Sequence, residues 1–129
     1  MSFQPLQKYG ASGWMRGAVA KKSQDGESMS ITLGQDIMQR FQLMEGDLRI
    51  RVNIGSAEDA GKIVLIPMRG GYKLSRDTHG KGRIRFKSPQ AVKLFFNGHK
   101  EIKCTVLPWD GYPANGHGKP MLLCGNNRG

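Results

Sequence analysis

Acidic side chains are scarce in this sequence. Ten Asp and Glu stand against twenty Lys and Arg, a formal net charge of +10. So basic a chain repels copies of itself and attracts polyanions, which puts nucleic acid first among partner classes, ahead of ribosomal or membrane surfaces. Cysteine is nearly absent as well: Cys104 and Cys124 stand apart, without CxxC spacing. Both read as buried free thiols, and no zinc site is expected from them and the scattered His79, His99 and His117. No cofactor is implied. There is no apolar stretch of about 18 residues, and the opening "MSFQPLQKYGASGWMRG" contains no apolar run of signal-peptide length. The expectation is a soluble cytoplasmic protein without a membrane partner.

Catalytic signatures are missing too. The sequence has no P-loop, and "GYKLSRDTHGKG" lacks a phosphate-binding fingerprint. The carboxylates Asp25, Glu27, Glu45, Asp47, Glu58 and Asp59 fall in turn-like segments, and nothing selects one Ser/His/Asp set over another. A binding role is expected rather than an enzyme.

What the chain does contain is glycine, 18 residues of it, with 38% hydrophobic residues across 129 positions. That composition suits one turn-rich β domain over residues 1–129, too short for two ordinary domains. The stretch "GRIRFKSPQAVKLFF" shows how it is written. Arg83, Arg85 and Lys87 alternate with Ile84 and Phe86, the two-residue period of a strand with one dry and one cationic face. Ser88 and Pro89 follow as N-cap and first helical residue, because the hydroxyl accepts from an orphan amide and proline needs no donor there. The helix carries Val92, Leu94, Phe95 and Phe96 to Asn97-Gly98, which tolerate positive φ and end it.

Around this stretch the order is "GYKLSR", a glycine-containing turn, "RIRFK", the helix, "EIKCTVL", a long Gly/Pro-rich loop and "PMLLC". The first half has the same order. "GAVAKKS" and "SMSITL" flank "QDGE"; "GQDIMQRFQL" places Ile37 and Phe41 four apart as a short helix would; "LRIRVNI" and "KIVLIPM" flank "GSAEDAG". Gly-Lys introduces the last strand of both halves, at Gly61-Lys62 and Gly118-Lys119. The pattern predicts an internal duplication with units at 17–70 and 71–125.

The first unit, above all "MSITLGQDIMQRFQLMEGDLRIRVNI" and "GKIVLIP", resembles the SpoVT/AbrB-like swapped-hairpin DNA-binding domains. The matching parts are the strand Ile31 to Leu33, a helix ending at Leu43, the acidic-Gly-Asp turn Glu45-Gly46-Asp47 and the charged strand Leu48 to Ile54. The second unit keeps the hairpin and helix but lacks the acidic-Gly-Asp turn. Family members pair single units into one dimeric barrel by exchanging hairpins. Two units in one chain therefore imply a mainly β fold with short helices, an AbrB-like barrel closed as an intramolecular pseudo-dimer that can exist as a monomer, with higher oligomers left open.

The resemblance also implies double-stranded DNA as partner, and a role in transcription regulation. By position, the basic residues that approach the duplex are Lys21, Lys22 and Arg40 in the first unit and Arg76, Lys81, Arg83, Arg85, Lys87 and Lys93 in the second. Two departures stand out: Gly34 replaces the helix-entry proline, and Leu74 stands where a basic residue is common. The charge is uneven, with 9 Lys and Arg against 7 Asp and Glu in residues 1–70, and 11 against 3 in residues 71–129. Ser28, Ser30 and Thr32 occupy in the first half the outward positions that Arg83, Arg85 and Lys87 occupy in the second.

Other readings stay open. The cationic row is also what a soluble exposed strand face would carry. Arg49 and Arg51 read as a solvated face. Trp14, Tyr72, Trp109 and Tyr112 could stack on unpaired bases or lock loops onto a core. The loop at 108–119 is long enough to meet a partner. The alternative function is a small protein-interaction module, antitoxin-like or inhibitory, whose basic face docks on an acidic partner protein.

Overall fold

The computed structural model describes residues 16–55, 61–109 and 118–125. The first half supplies β1 (Ala18–Lys22), β2 (Ser28–Leu33), α1 (Gln35–Arg40), β3 (Arg49–Ile54) and β4 (Lys62–Pro67). The second supplies β5 (Tyr72–Lys73), β6 (Ser75–Arg76), β7 (Gly82–Lys87), α2 (Pro89–Phe96), β8 (Glu101–Pro108) and β9 (Met121–Gly125). All strand pairings are antiparallel, and one sheet holds them in the order β5-β3-β4-β9-β8-β1-β2-β7-β6.

The two ends of that order are one piece of chain. Only Leu74 separates β5 from β6; it is 4% exposed, and its amide donates to the Leu48 carbonyl at 3.1 Å. The segment bends there, pairing with β3 before the bend and β7 after it. The result is a nearly closed barrel, an arrangement that leaves little unpaired strand edge. Here "GYKLSR", expected as one strand, is divided, because a single straight strand could not meet both neighbours.

Closure demands a glycine just before β5. A Cβ on Gly71 would collide with the backbone of Ile50 and Arg51, so only a residue without a side chain lets the chain approach β3 this closely. A Cβ on Gly82 would stand 2.5 Å from Met38 Sδ and 3.0 Å from Leu74 Cδ1. That glycine makes room where α1 and the bend at Leu74 meet β7.

The interior follows the two-residue period. Met29, Ile31 and Leu33 of β2, Ile84 and Phe86 of β7, Ile102, Cys104 and Val106 of β8, and Met121 and Leu123 of β9 are buried in one apolar core. The core also takes in the helices through Ile37, Met38, Val92, Phe95 and Phe96. No charged or polar residue is buried among the described residues. α2 starts and stops as its sequence demands: Ser88 Oγ accepts from the Ala91 amide at 3.2 Å, and Asn97 ends the helix in the left-handed region at φ 46°. α1 ends earlier than expected. It stops at Arg40, with Phe41 as its cap and Gln42 at φ 59°, so Leu43 enters the core from a turn rather than from the helix. Its first turn is tied down by Asp36, whose carboxylate accepts from the Gly17 amide at 2.9 Å.

The pairing has an internal symmetry. Each half forms two hairpins, β1–β2 and β3–β4, then β6–β7 and β8–β9. Between halves, β2 pairs with β7 and β4 with β9. Likewise β1 pairs with β8, as β5 does with β3. Exchanging the halves maps this set of pairings onto itself. The first hairpin turn of each half shares one feature: the Gly26 amide donates to the Ser23 carbonyl at 3.1 Å and the Gly80 amide to the Asp77 carbonyl at 3.3 Å, with both glycines at positive φ.

Candidate nucleic-acid interface

The outward positions of β7 are Arg83, Arg85 and Lys87, all exposed. Their neighbours across β2 are hydroxyl residues: Thr32 lies opposite Arg83, Ser30 opposite Arg85 and Ser28 opposite Lys87. The two rows that the sequence sets in equivalent strands are thus direct cross-strand partners. Directly opposed residues in an antiparallel pair have Cβ atoms about 5 Å apart, and residues on one face of a strand follow each other at about 6.7 Å along the backbone. This is a regular ladder of donors facing solvent.

The rungs extend sideways. Beyond Thr32 lies Val19 on β1 and then Lys103 on β8; beyond Ser30 lies Lys21 and then Glu101. On the other side, Ser75 of β6 faces Arg83. The rungs differ in their acids. Lys87 Nζ is 3.2 Å from Glu27 Oε1, and Lys21 Nζ is 3.7 Å from Glu101 Oε1. Both pairs are well exposed, so they contribute little to stability and yield readily to a competing anion. Arg83 and Arg85 have no such partner among the described residues.

The remaining candidate cations are not all on this face. Arg76 uses its guanidinium to hold the turn after α1, donating to the carbonyls of Leu43, at 2.9 Å, and Gly46. Lys81 sits in the β6–β7 turn, 3.8 Å from Asp77 Oδ2. The Lys81 and His79 amides hold the Asp77 carboxyl below the usual range, despite its partial desolvation, so it stays anionic. Lys22 is half-buried at the end of β1, its amide bonded to the Lys100 carbonyl at 3.1 Å. Arg40 lies over the Phe41 ring at 5.1 Å, and Lys93 is exposed in the last turn of α2. The sequence reading missed Ser75 and Lys103 as members of the face. The alternation in "EIKCTVL" carried the signal for Lys103; Ser75 has none, because its place depends on the bend at Leu74.

An open cavity of about 220 Å³ lies at the β6–β7 end of the ladder, lined by Thr32, Ser75, Arg83 and the turn residues Asp77 and Lys81. A second, of about 210 Å³, lies on the outer side of β3, β4 and β9, lined by Asn53, Ile54, Lys62, Val64, Trp109 and Leu122. The Trp109 indole Nε1 is buried there without an acceptor among the described residues. Nearby, Leu107, opposite Leu122, is 44% exposed.

Of the aromatic candidates, Tyr72 stacks on Phe86, ring centroids 5.1 Å apart, and so covers the core rather than standing free. Trp14, Tyr112, His117, Glu58, Asp59 and most of the 108–119 loop lie outside the described residues. Of the two thiols, Cys104 is buried while Cys124 is only half-buried, the outward parity of β9 falling on it. Among the described residues no group of three His, Cys, Asp or Glu could hold a metal ion, and no helix is long and apolar enough to cross a membrane.

The chain was compared with protein-family models, with curated proteins and with solved structures, and none of the three comparisons found a match.

Proposed function

We propose that this protein binds double-stranded DNA through the outer face of β7 and β2, as a transcription regulator built from two AbrB-like units in one chain. The observation that carries the reading is the ladder itself: Arg83, Arg85 and Lys87, exposed and in register with Thr32, Ser30 and Ser28. Its cations attract a phosphate backbone, and its hydroxyls add short-range donors that position it. The symmetric pairing of the halves supports the pseudo-dimer, since it is the pattern that two hairpin-exchanging units joined end to end would adopt. Arg76, tied to two carbonyls, acts in this reading as a brace for the surface.

The test is the salt dependence of duplex binding. Neutralising about six phosphates gives a log-log slope near −5. Changing Arg83, Arg85 and Lys87 together to Ser or Thr flattens the slope by about three. The fold persists, because Ile84 and Phe86 still fill the core. An unchanged slope in a variant with a normal thermal transition removes the ladder as the DNA surface.

A second reading, a module that binds and regulates a partner protein, draws on the outer side of β4 and β9. There Leu107, Leu122 and Trp109 form an apolar surface beside the 210 Å³ cavity. Retention of a protein from nuclease-treated lysate, lost when Leu107 is changed to Ser but not in the ladder variant, would favour it.

A further inference from the structure

The three rungs of the ladder are not equivalent. At the first, Arg83 stands between two hydroxyl residues in one lateral row, Ser75 on β6 and Thr32 on β2. The other rungs have a hydroxyl on one side only: Arg85 faces Ser30, and Lys87 faces Ser28 and is paired with Glu27. The first rung alone opens onto the 220 Å³ cavity, whose rim carries Lys81 and whose wall includes Arg76. Three cations line that cavity against one carboxylate. The carboxylate, Asp77, is occupied by the amides of His79 and Lys81 and by the Lys81 ammonium. Arg76 is committed to carbonyls, which leaves the Arg83 guanidinium as the cation there with no partner among the described residues.

We infer that the Ser75–Arg83–Thr32 rung is a seat for one phosphate group. The guanidinium supplies a planar fork of donors, matched to two phosphate oxygens, and the flanking hydroxyls approach the same group from either side. Lys81, 3.8 Å from Asp77 Oδ2, adds charge at the rim. A seat of this kind holds one phosphate in register while the second and third rungs attract the neighbouring ones by charge. It rests on the proposed DNA surface only for its biological ligand; the oxyanion chemistry stands without it. The ligand is a phosphate oxyanion, from the internal backbone of a duplex or from a 5′-terminal phosphate.

Pyrophosphate titrated into the full chain at constant ionic strength tests the seat, read through the backbone amide resonances of residues 75–83 and Thr32. Saturable shifts are expected in that set. Arg83→Gln weakens pyrophosphate at least about tenfold, Thr32→Val about fivefold, and Arg85→Gln little. Arg83→Lys keeps the charge, loses the fork and falls between. Thermal transitions check each fold. Non-saturating shifts, or equal losses in Arg83→Gln and Arg85→Gln, would mean a diffuse field and overturn the seat. Competition by closed circular duplex assigns the seat to backbone phosphate, whereas competition only by a 5′-phosphorylated oligonucleotide assigns it to strand ends. The two proposals fail separately. Non-saturating pyrophosphate shifts with duplex binding intact remove the seat and keep the DNA surface; saturable pyrophosphate without duplex binding does the reverse.

Discussion

At the scale of single residues, environment decides what a side chain can do, and Cys104 shows this most plainly. It is 8% exposed on the inward face of β8, and burial pushes its thiol from the ordinary 9.0 up to about 12. The native state therefore holds the proton over a range where the unfolded chain has lost it. Stability falls as pH rises from about 9 to about 12, since the folded state binds more protons there. Cys104→Ala should remove that part of the alkaline loss, measured as the difference between the two proteins' denaturant midpoints at pH 8 and pH 10.5. In wild type, a thiol reagent at neutral pH should modify Cys124 before Cys104, because a thiol that is neither ionised nor accessible is a poor nucleophile. Identical alkaline curves for the variant and wild type would separate Cys104 from the effect. The inward parity of Cys104 with Ile102 and Val106 was legible in the sequence; the half-exposure of Cys124 was not. "PMLLC" reads as a continuous apolar run, and only the position of β9 between β4 and β8 turns Cys124 and Leu122 outward.

At the scale of elements, the sequence was most informative where a local signal has a local cause. α2 is the clearest case. Ser88 caps it, Pro89 opens it, and Asn97 closes it, each role following from the residue's own hydrogen-bonding groups and φ range. Ser88→Ala should lower stability by about 1 kcal/mol, and Ser88→Asp should keep most of it, since either oxygen can accept from the Ala91 amide. Equal midpoints for Ser88→Ala and wild type in urea would show that the cap contributes nothing. α1 lacks such a cap: Gly34 offers no side chain, and the hold comes from Asp36 on Gly17, across 19 positions of sequence. No local pattern announces that bond. The same distinction explains the site. The alternation of Arg83, Arg85 and Lys87 was legible as a face, and so was the hydroxyl row in the other half. That the two rows lie side by side was not, because strand neighbours distant in sequence leave no periodicity in either strand. The seat at Arg83 was hidden for the same reason. Its three side chains come from β2, β6 and β7, so "SRDTHGKGR" carries no phosphate fingerprint when read along the chain.

At the scale of the whole molecule, the pairing order makes the halves dependent on each other. In the sheet, β1–β2 is flanked by β8 and β7, and β3–β4 by β5 and β9, so the two hairpins of the first half never touch as neighbours. Residues 1–70 alone would hold two separate two-stranded ribbons, each with both edges open and an apolar face uncovered. A ribbon of this kind is marginal in water, and unpaired edges invite association with other chains. The fragment should therefore be unfolded or oligomeric by sedimentation, with no cooperative thermal transition as a monomer. Residues 71–129 lose the reciprocal set of partners and should behave alike. Mixed or co-expressed, the two fragments should recover one complex of one copy each, because the pairings β2–β7, β4–β9, β1–β8 and β3–β5 all run between them. That complex should also regain the ladder, in which Ser28, Ser30 and Thr32 come from one fragment and Arg83, Arg85 and Lys87 from the other. If the chain binds duplex DNA as proposed, that binding becomes a readout of assembly: absent from residues 1–70, and restored with the salt slope of the intact chain when the second fragment is added. A monomeric, cooperatively melting 1–70 fragment would sink this account, since such a fragment would need a core and sheet neighbours that the nearly closed barrel assigns to the other half.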